Sequence, residues 1–177
     1  AITSPAAAQV TYVCEAYGDG QFEITVDPAN PAQASGLYRG SPEYGARVTP
    51  MDPLEEIPVA SGFGYRNDEL EFRGQGSQEA LAIVNGTDLR CLAGGWPSWP
   101  LPARSYGGRL RAAASLEAEV IGSVPEGTEI TLLFNSYEFL DGYEWFEVRL
   151  PDGTSGYHWG GIICLTGDYV PGTFGAC

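Results

Sequence analysis

The sequence contains no lysine. All 9 of its basic residues are arginine, and they face 23 acids, for a net charge of −14. A chain this acidic is a poor candidate for nucleic-acid binding, which needs a basic surface to neutralise phosphates, or for adhesion to anionic lipid headgroups. It suits a basic protein partner, because opposite fields raise the encounter rate; solubility alone also accounts for it. Histidine occurs once, at His158. A Ser-His-Asp triad would have to use that residue, and a buried or edge-bonded histidine beside Trp159 is the simpler reading. No C-x-x-C pair occurs, which argues against a zinc site. The aspartates lack the spacing of a calcium loop, and no motif calls for a cofactor. Glu55-Glu56 and Glu69 with Glu71 are paired acids, but they read as solvated groups rather than as a glycosidase pair. No apolar run approaches the roughly 18 residues of a membrane span, so no transmembrane segment is expected. Convincing helical periodicity is also missing.

Turns and short period-two patterns take its place. Glycine (24) and proline (13) are plentiful. Val10, Tyr12 and Cys14 alternate with Thr11, Val13 and Glu15; Phe22, Ile24 and Val26 alternate with Glu23, Thr25 and Asp27; Leu70 and Phe72 alternate with Glu69, Glu71 and Arg73. Each reads as a strand with one buried face. Gly18-Asp19-Gly20 and Asn85-Gly86 are hairpin signals, the second joining strands over 79–84 and 87–92. Residues 29–53 are rich in Pro, Ala, Ser and Gly and read as loop with one or two short strands. Residues 94–103, with their Trp-Pro repeats, read as an extended linker. Trp96 and Trp99 are expected to pack between two domains, a polyproline-type ligand role being the lesser reading. Beyond the linker, strands are expected at Leu110-Arg111, at Val120-Ile121 paired with 130–134, at 144–150 and at 156–161, with turns at Pro125-Glu126-Gly127-Thr128, Asp141-Gly142 and Pro151-Asp152-Gly153. The expected fold is all-β: two small antiparallel β-barrels in tandem, over 1–93 and 104–177. Ala1 to Gln9 is small and polar, like the start of a mature secreted protein, and a lipid-anchored cysteine upstream stays an open alternative.

Within the first half, Tyr12-Val13-Cys14, Ala60-Ser61-Gly62-Phe63-Gly64, Glu79-Ala80-Leu81 and Cys91 resemble the periplasmic and membrane-bound inhibitors of C-type lysozyme. The resemblance covers about residues 9–93. It implies a barrel with a cysteine of the first strand bonded to one of the last, and a Ser-Gly-x-Gly loop that enters the lysozyme cleft. Such a cleft holds two acids, which a hydroxyl and a cation would satisfy while blocking substrate. Ser61 matches the loop serine. The family's lysine has no lysine counterpart; Arg73-Gly74 is the best substitute and Gln75-Gly76 the next, with the changed bulk of an arginine. Tyr65-Arg66 follows the loop in shifted order. The implied lysozyme-binding set is therefore Ser61, Gly62, Phe63, Gly64, Arg66 and Arg73. Read without the resemblance, Ser61 is a turn residue and Arg73 a solvated strand arginine beside Glu71.

In the second half, Leu110-Arg111, Val120-Ile121-Gly122, Glu126-Gly127-Thr128, Gly142-Tyr143-Glu144-Trp145 and Gly156-Tyr157 resemble bacterial SH3-like domains over about 104–166. The resemblance implies a small barrel that binds peptidoglycan peptides or other proteins. Tyr143, Trp145, Tyr157 and Trp159 are candidates for its groove, though so small a barrel needs some of its aromatics as core. The cysteines, Cys14, Cys91, Cys164 and Cys177, allow three pairings. Cys14–Cys91 and Cys164–Cys177 are preferred because each closes one candidate domain, worth about 4 and about 3 kcal/mol respectively in the chain-entropy account. Two disulfides imply a periplasmic or secreted protein and leave no thiol nucleophile. The favoured function is non-catalytic: binding and inhibiting a C-type lysozyme or a related basic wall-degrading enzyme. The alternative is a cell-envelope adaptor whose SH3-like domain binds peptidoglycan peptides or a protein partner. A hydrolase ranks last, for want of a base.

Overall fold

The computed structural model describes residues 8–41, 43 and 47–177. Most of the Ala1 to Gln9 segment lies outside the described residues. The chain divides into two compact units, Ala1–Trp96 and Pro97–Cys177, each with its own hydrophobic core.

The first unit carries β1 (Val10–Tyr17), β2 (Gly20–Val26), β3 (Gln33–Gly40), β4 (Val48–Pro50), β5 (Leu54–Glu56), β6 (Phe63–Arg66), β7 (Leu70–Gly74), β8 (Glu79–Val84) and β9 (Thr87–Ala93). Eight of these pair in the ring β2-β1-β9-β8-β7-β6-β5-β3, which a β2–β3 pairing closes; β4 adds alongside β3. The alternation seen in the sequence is the inside and outside of this barrel: Tyr12, Cys14, Phe22, Ile24, Leu70 and Phe72 are all buried. Eight strands enclose just enough space for side chains to fill. Tyr12, Phe63, Tyr65 and Phe72 fill it with contacting rings, the Tyr12–Phe72 centroids lying 5.3 Å apart and the Phe63–Phe72 centroids 5.7 Å. Each such side chain contributes about 1.5–3 kcal/mol of burial. Asn85 and Gly86 have φ of 50° and 77°, the pair of positive values that a two-residue type I′ hairpin requires. Cys14 and Cys91 stand opposite each other in the β1–β9 register and are bonded.

The stretch 29–53, read from sequence as mostly loop, holds the full strand β3, which pairs with β2 along its length. Its inward positions in that register are Ala34, Gly36 and Tyr38, two of them too small to mark a hydrophobic period. Gly36 has a reason to be small: a Cβ there would lie 3.0 Å from the Met51 sulfur and 3.2 Å from Leu54 Cδ1. Residues 42 and 44–46 of this stretch lie outside the described residues.

The second unit carries β10 (Leu101–Ser105), β11 (Gly108–Arg111), β12 (Val120–Val124), β13 (Glu129–Leu140), β14 (Tyr143–Arg149), β15 (Ser155–Trp159), a 3-10 turn at Gly160–Ile162, β16 (Ile163–Leu165) and β17 (Gly175–Ala176). They form one sheet in the order β12-β11-β15-β14-β13-β10-β16-β17. The five expected strands are present, and three more join them. β10 takes residues 101–103 out of the expected linker, because buried Ala103 pairs with buried Ile130 of β13. For the same reason β13 does not pair with β12, as the sequence reading had it; β12 pairs with β11. Trp96 and Trp99 each make contacts inside their own unit. The Trp96 indole donates to the Val13 carbonyl at 3.0 Å, and the Trp99 ring lies 6.3 Å from that of Phe146. Cys164 is bonded to Cys177, tying the tail to β16, alongside which β17 runs parallel.

Candidate functional site

Ser61 is exposed two residues before β6, and its hydroxyl has no hydrogen bond among the described residues. The glycines around it are set by packing. Gly62 has φ +77°, and a Cβ there would meet the Gly74 carbonyl oxygen at 2.0 Å. A Cβ on Gly64 would meet the Val59 side chain at 2.5 Å. Phe63 departs from the expected binding set: its ring turns into the barrel, against Tyr12 and Phe72, because residues 63 and 65 share the inward face of β6 with the core. Arg66 and Arg73 both flank Glu71 on the outer face. In the β6–β7 register Arg66 lies opposite Glu71, and its guanidinium is 3.8 Å from the carboxylate. Arg73 Nε donates to the other oxygen of Glu71. The structure thus brings Arg66 and Arg73 together around one acid, an exposed arrangement worth up to about 1 kcal/mol. Gln75 is exposed just beyond β7.

The second unit gathers its candidate residues more closely. In the β14–β15 register Trp145 lies opposite Trp159, and Glu147 opposite Tyr157. Alternation places Tyr143, Trp145, Tyr157 and Trp159 on one face, while Phe146, Val148 and His158 point into the core. The Tyr143 and Trp159 rings meet edge to face at 5.3 Å, and the Trp159 indole donates to the Leu140 carbonyl at 3.0 Å. Trp145, although on this face, is only 3% exposed. It is covered where a groove of about 250 Å³ opens between residues 114–117 and 138–140, lined by Leu116, Glu117, Glu138, Phe139, Leu140 and Trp145. Ser115 donates to Glu117 Oε2 at 2.6 Å and holds that carboxyl below its ordinary value.

A bulge in β13 shapes one wall of this groove. The β13–β14 register slips between Asn135 and Phe139, and Tyr137 takes φ +60°, a left-handed value that bulky residues rarely adopt. Side chains clamp it there. Asn135 Oδ1 accepts from the Tyr137 N–H at 2.8 Å, and Ser136 Oγ donates to the Trp145 carbonyl at 2.7 Å. Asn135 is itself anchored on buried Glu144, at 2.9 Å. The result is a set of exposed aromatics, Phe134, Tyr137 and Phe139. A second set, Tyr106 and Phe174, extends the face at Tyr143: Phe174 stacks on Tyr143 at 6.5 Å and meets Tyr106 at 5.5 Å. Sequence reasoning missed Leu116, Glu117, Glu138 and Phe139, which come from distant segments with no shared period, and Phe174, which the tail disulfide carries to the sheet.

His158 is fully buried. Its Nδ1 lies 3.1 Å from the Arg109 carbonyl, which can only accept, so Nδ1 carries the proton. Nε2 then accepts from Ser105 Oγ at 2.7 Å. Burial holds the imidazole below its ordinary value, the Arg109 bond opposing this less strongly. Ser105 is fully buried too, so the pair braces the fold, and substrate has no path to its hydroxyl. Among the described residues no cluster of three His, Cys, Asp or Glu could hold a metal ion.

A family model described as the bacterial SH3 domain matches residues 107–161. The similarity to that family is confined to this segment: β11 to β15 and the groove fall inside it, whereas Tyr106 and the tail bearing Phe174 lie outside it. No curated protein and no solved structure matches the chain. The first unit is an eight-strand barrel without an assigned family.

Proposed function

We propose that the protein is a non-catalytic binding protein of the cell envelope, acting outside the cytoplasm and attached through its SH3 domain. The observation that carries this reading is the aromatic face of β14 and β15 running beside the groove over Trp145. Tyr143, Tyr157 and Trp159 are half-buried on that face, and Phe139 stands exposed on the groove, whose lining mixes polar and apolar groups; aromatics left partly in water mark interaction surfaces. Two disulfides fit an oxidising compartment. No helix among the described residues is long and apolar enough to cross a membrane. The test is sedimentation of the full chain with purified cell-wall sacculi. The wild type should pellet with them, and Tyr143→Ala with Trp159→Phe should stay in solution while keeping its fold. A wild type that remains in the supernatant would reject the reading.

A second reading, inhibition of a C-type lysozyme by the barrel, is favoured by the unpartnered Ser61 hydroxyl at the edge of a closed barrel with Cys14 bonded to Cys91. In that reading Arg73 leaves Glu71 to meet an acid of the enzyme cleft. Stoichiometric loss of lysozyme activity, relieved by Ser61→Ala with Arg73→Ala, would support it. Lysozyme left fully active at micromolar excess would reject it for that enzyme.

A further inference from the structure

A cavity of about 370 Å³ opens where β13 begins and β14 and β16 end. That volume lies within the roughly 300–1,000 Å³ of small-ligand sites. It shares no residue with the groove over Trp145. Part of its wall, on β10 and at Thr166, lies outside residues 107–161. Pro102, Leu150 and Pro151 give it apolar sides, and Thr131 and Arg149 give it polar ones.

The arginine sets this cavity apart. Arg39, Arg66, Arg73, Arg90 and Arg104 each face a carboxylate, and Arg111 donates to the Ala118 carbonyl. Arg149 has no hydrogen bond or ion pair among the described residues, in a chain with 23 acids. Thr131 stands directly opposite it in the β13–β14 register, and the Thr131 hydroxyl is also without a partner among the described residues. Directly opposed residues of an antiparallel pair hold their Cβ atoms about 4.5–5.5 Å apart on one face, so one small group can meet both. The acid that lines the cavity, Glu129, is answered by Arg104 at 3.7 Å. We propose that this cavity binds a small carboxylic acid with an apolar body, its carboxylate held by the Arg149 guanidinium and the Thr131 hydroxyl and its body against Pro102, Leu150 and Pro151.

The chemistry selects that ligand class. A guanidinium fork matches a planar carboxylate with two parallel hydrogen bonds. A cationic ligand would meet Arg149 and find Glu129 already answered. Phosphate would leave the apolar sides unused, and as a dianion it would be repelled more strongly by a net charge of −14. A monocarboxylate carries the least charge that still uses the fork. Salt screens the distant acids beyond about 8–10 Å, whereas the fork acts at contact. A free acid and the end of a short peptide offer the same group.

The test uses the full chain and four probes: N-acetylalanine, acetyl-Ala-Ala, acetyl-Ala-Ala-amide and inorganic phosphate. Binding is followed by backbone amide shifts and by the arginine Nε–H signals. Both acids should give saturable shifts at Thr131, Arg149 and Leu150 at roughly millimolar concentration, and the amide should give none. Arg149→Gln should weaken the acids on the order of tenfold, and Thr131→Val about fivefold. Arg109→Gln, the same charge change at an exposed arginine outside the cavity, should alter binding by less than about twofold. Tighter binding of acetyl-Ala-Ala than of N-acetylalanine would support a peptide end as the ligand, and equal binding a free small acid. Acids that give no saturable shift at these residues would overturn the proposal. Equal binding of the amide would overturn the carboxylate, and equal binding of phosphate would overturn the apolar body. Equal losses from Arg149→Gln and Arg109→Gln would overturn the site.

Discussion

The barrel and the second unit put their aromatic residues in opposite places. In the barrel Tyr12, Phe22, Tyr65 and Phe72 are buried and are the core. In the second unit the core is chiefly aliphatic, built from Leu110, Val124, Ile130, Leu132, Val148 and Ile163 around Phe146, while Tyr106, Phe134, Tyr137, Phe139 and Phe174 are exposed. Among the described residues Val48 is the one exposed large hydrophobic of the barrel, and all the others belong to the second unit. The sheets differ in the same sense: the first closes on itself through β2–β3, and the second ends at β12 and β17. A closed sheet around large rings is a self-sufficient solid. An open sheet with a small aliphatic core and rings outside has surface left for something else. The contrast makes the second unit, rather than the barrel, the place where the proposed binding is to be tested.

Substitution of one ring from each unit should sharpen that contrast most. Phe72→Ala, in the middle of the barrel, should cost about 3–5 kcal/mol. Phe139→Ala, on the groove, should change stability by less than about 0.5 kcal/mol. Urea unfolding followed by amide signals of each unit measures both, and similar losses would erase the distinction. A smaller effect is expected from glycine. Gly62→Ala has to accommodate a positive φ and a carbonyl at 2.0 Å, and should destabilise the barrel by about 2 kcal/mol or more. Gly127→Ala, with φ +82° and open space around it, should cost the second unit only about 1 kcal/mol.

The pH response should separate the units next. His158 is the chain's only histidine and is held below its ordinary value by burial. Between the unfolded and folded values the unfolded chain binds the proton and the folded one does not. Stability of the second unit should therefore fall as pH drops below about 6.5, by at most about 1.4 kcal/mol per pH unit. The barrel should show no histidine-linked change there. A second unit whose stability is flat from pH 7 to 5.5 would contradict a neutral buried imidazole. The smallest effect should come from Arg73→Ala. Loss of its exposed pair with Glu71 should shift barrel stability by less than about 1 kcal/mol in thermal unfolding.

Local chemistry made much of this legible in the sequence. Alternation at Tyr12, Cys14, Phe22 and Ile24 marks the barrel interior, and Asn85-Gly86 and Asp141-Gly142 mark their hairpins because both residues of each pair adopt positive φ. The cysteines could be paired because each bridge stays within one unit. β3 was illegible, since its inward Ala34 and Gly36 are too small to mark a hydrophobic period, and at Gly36 Met51 and Leu54 lie too close for a larger side chain. Phe63 misled for a different reason: it sits in a loop-like motif, yet its place on β6 sends the ring inward. The groove was illegible because Leu116 and Phe139 meet only after the sheet forms, and the bulge that presents Glu138 depends on Asn135 reaching buried Glu144. Four candidate aromatics could be named from sequence, but their common face follows from the β14–β15 register.

The central claim, that the outer face of the second unit is where this protein binds, is tested most directly by comparing two double variants in sedimentation with cell-wall sacculi. One removes Tyr143 and Tyr157 side chains to alanine; the other does the same to Ser61 and Arg73 on the barrel. The account predicts that the first variant stays in the supernatant and the second pellets like the wild type. Sedimentation lost with the barrel variant and kept with the aromatic one would contradict it.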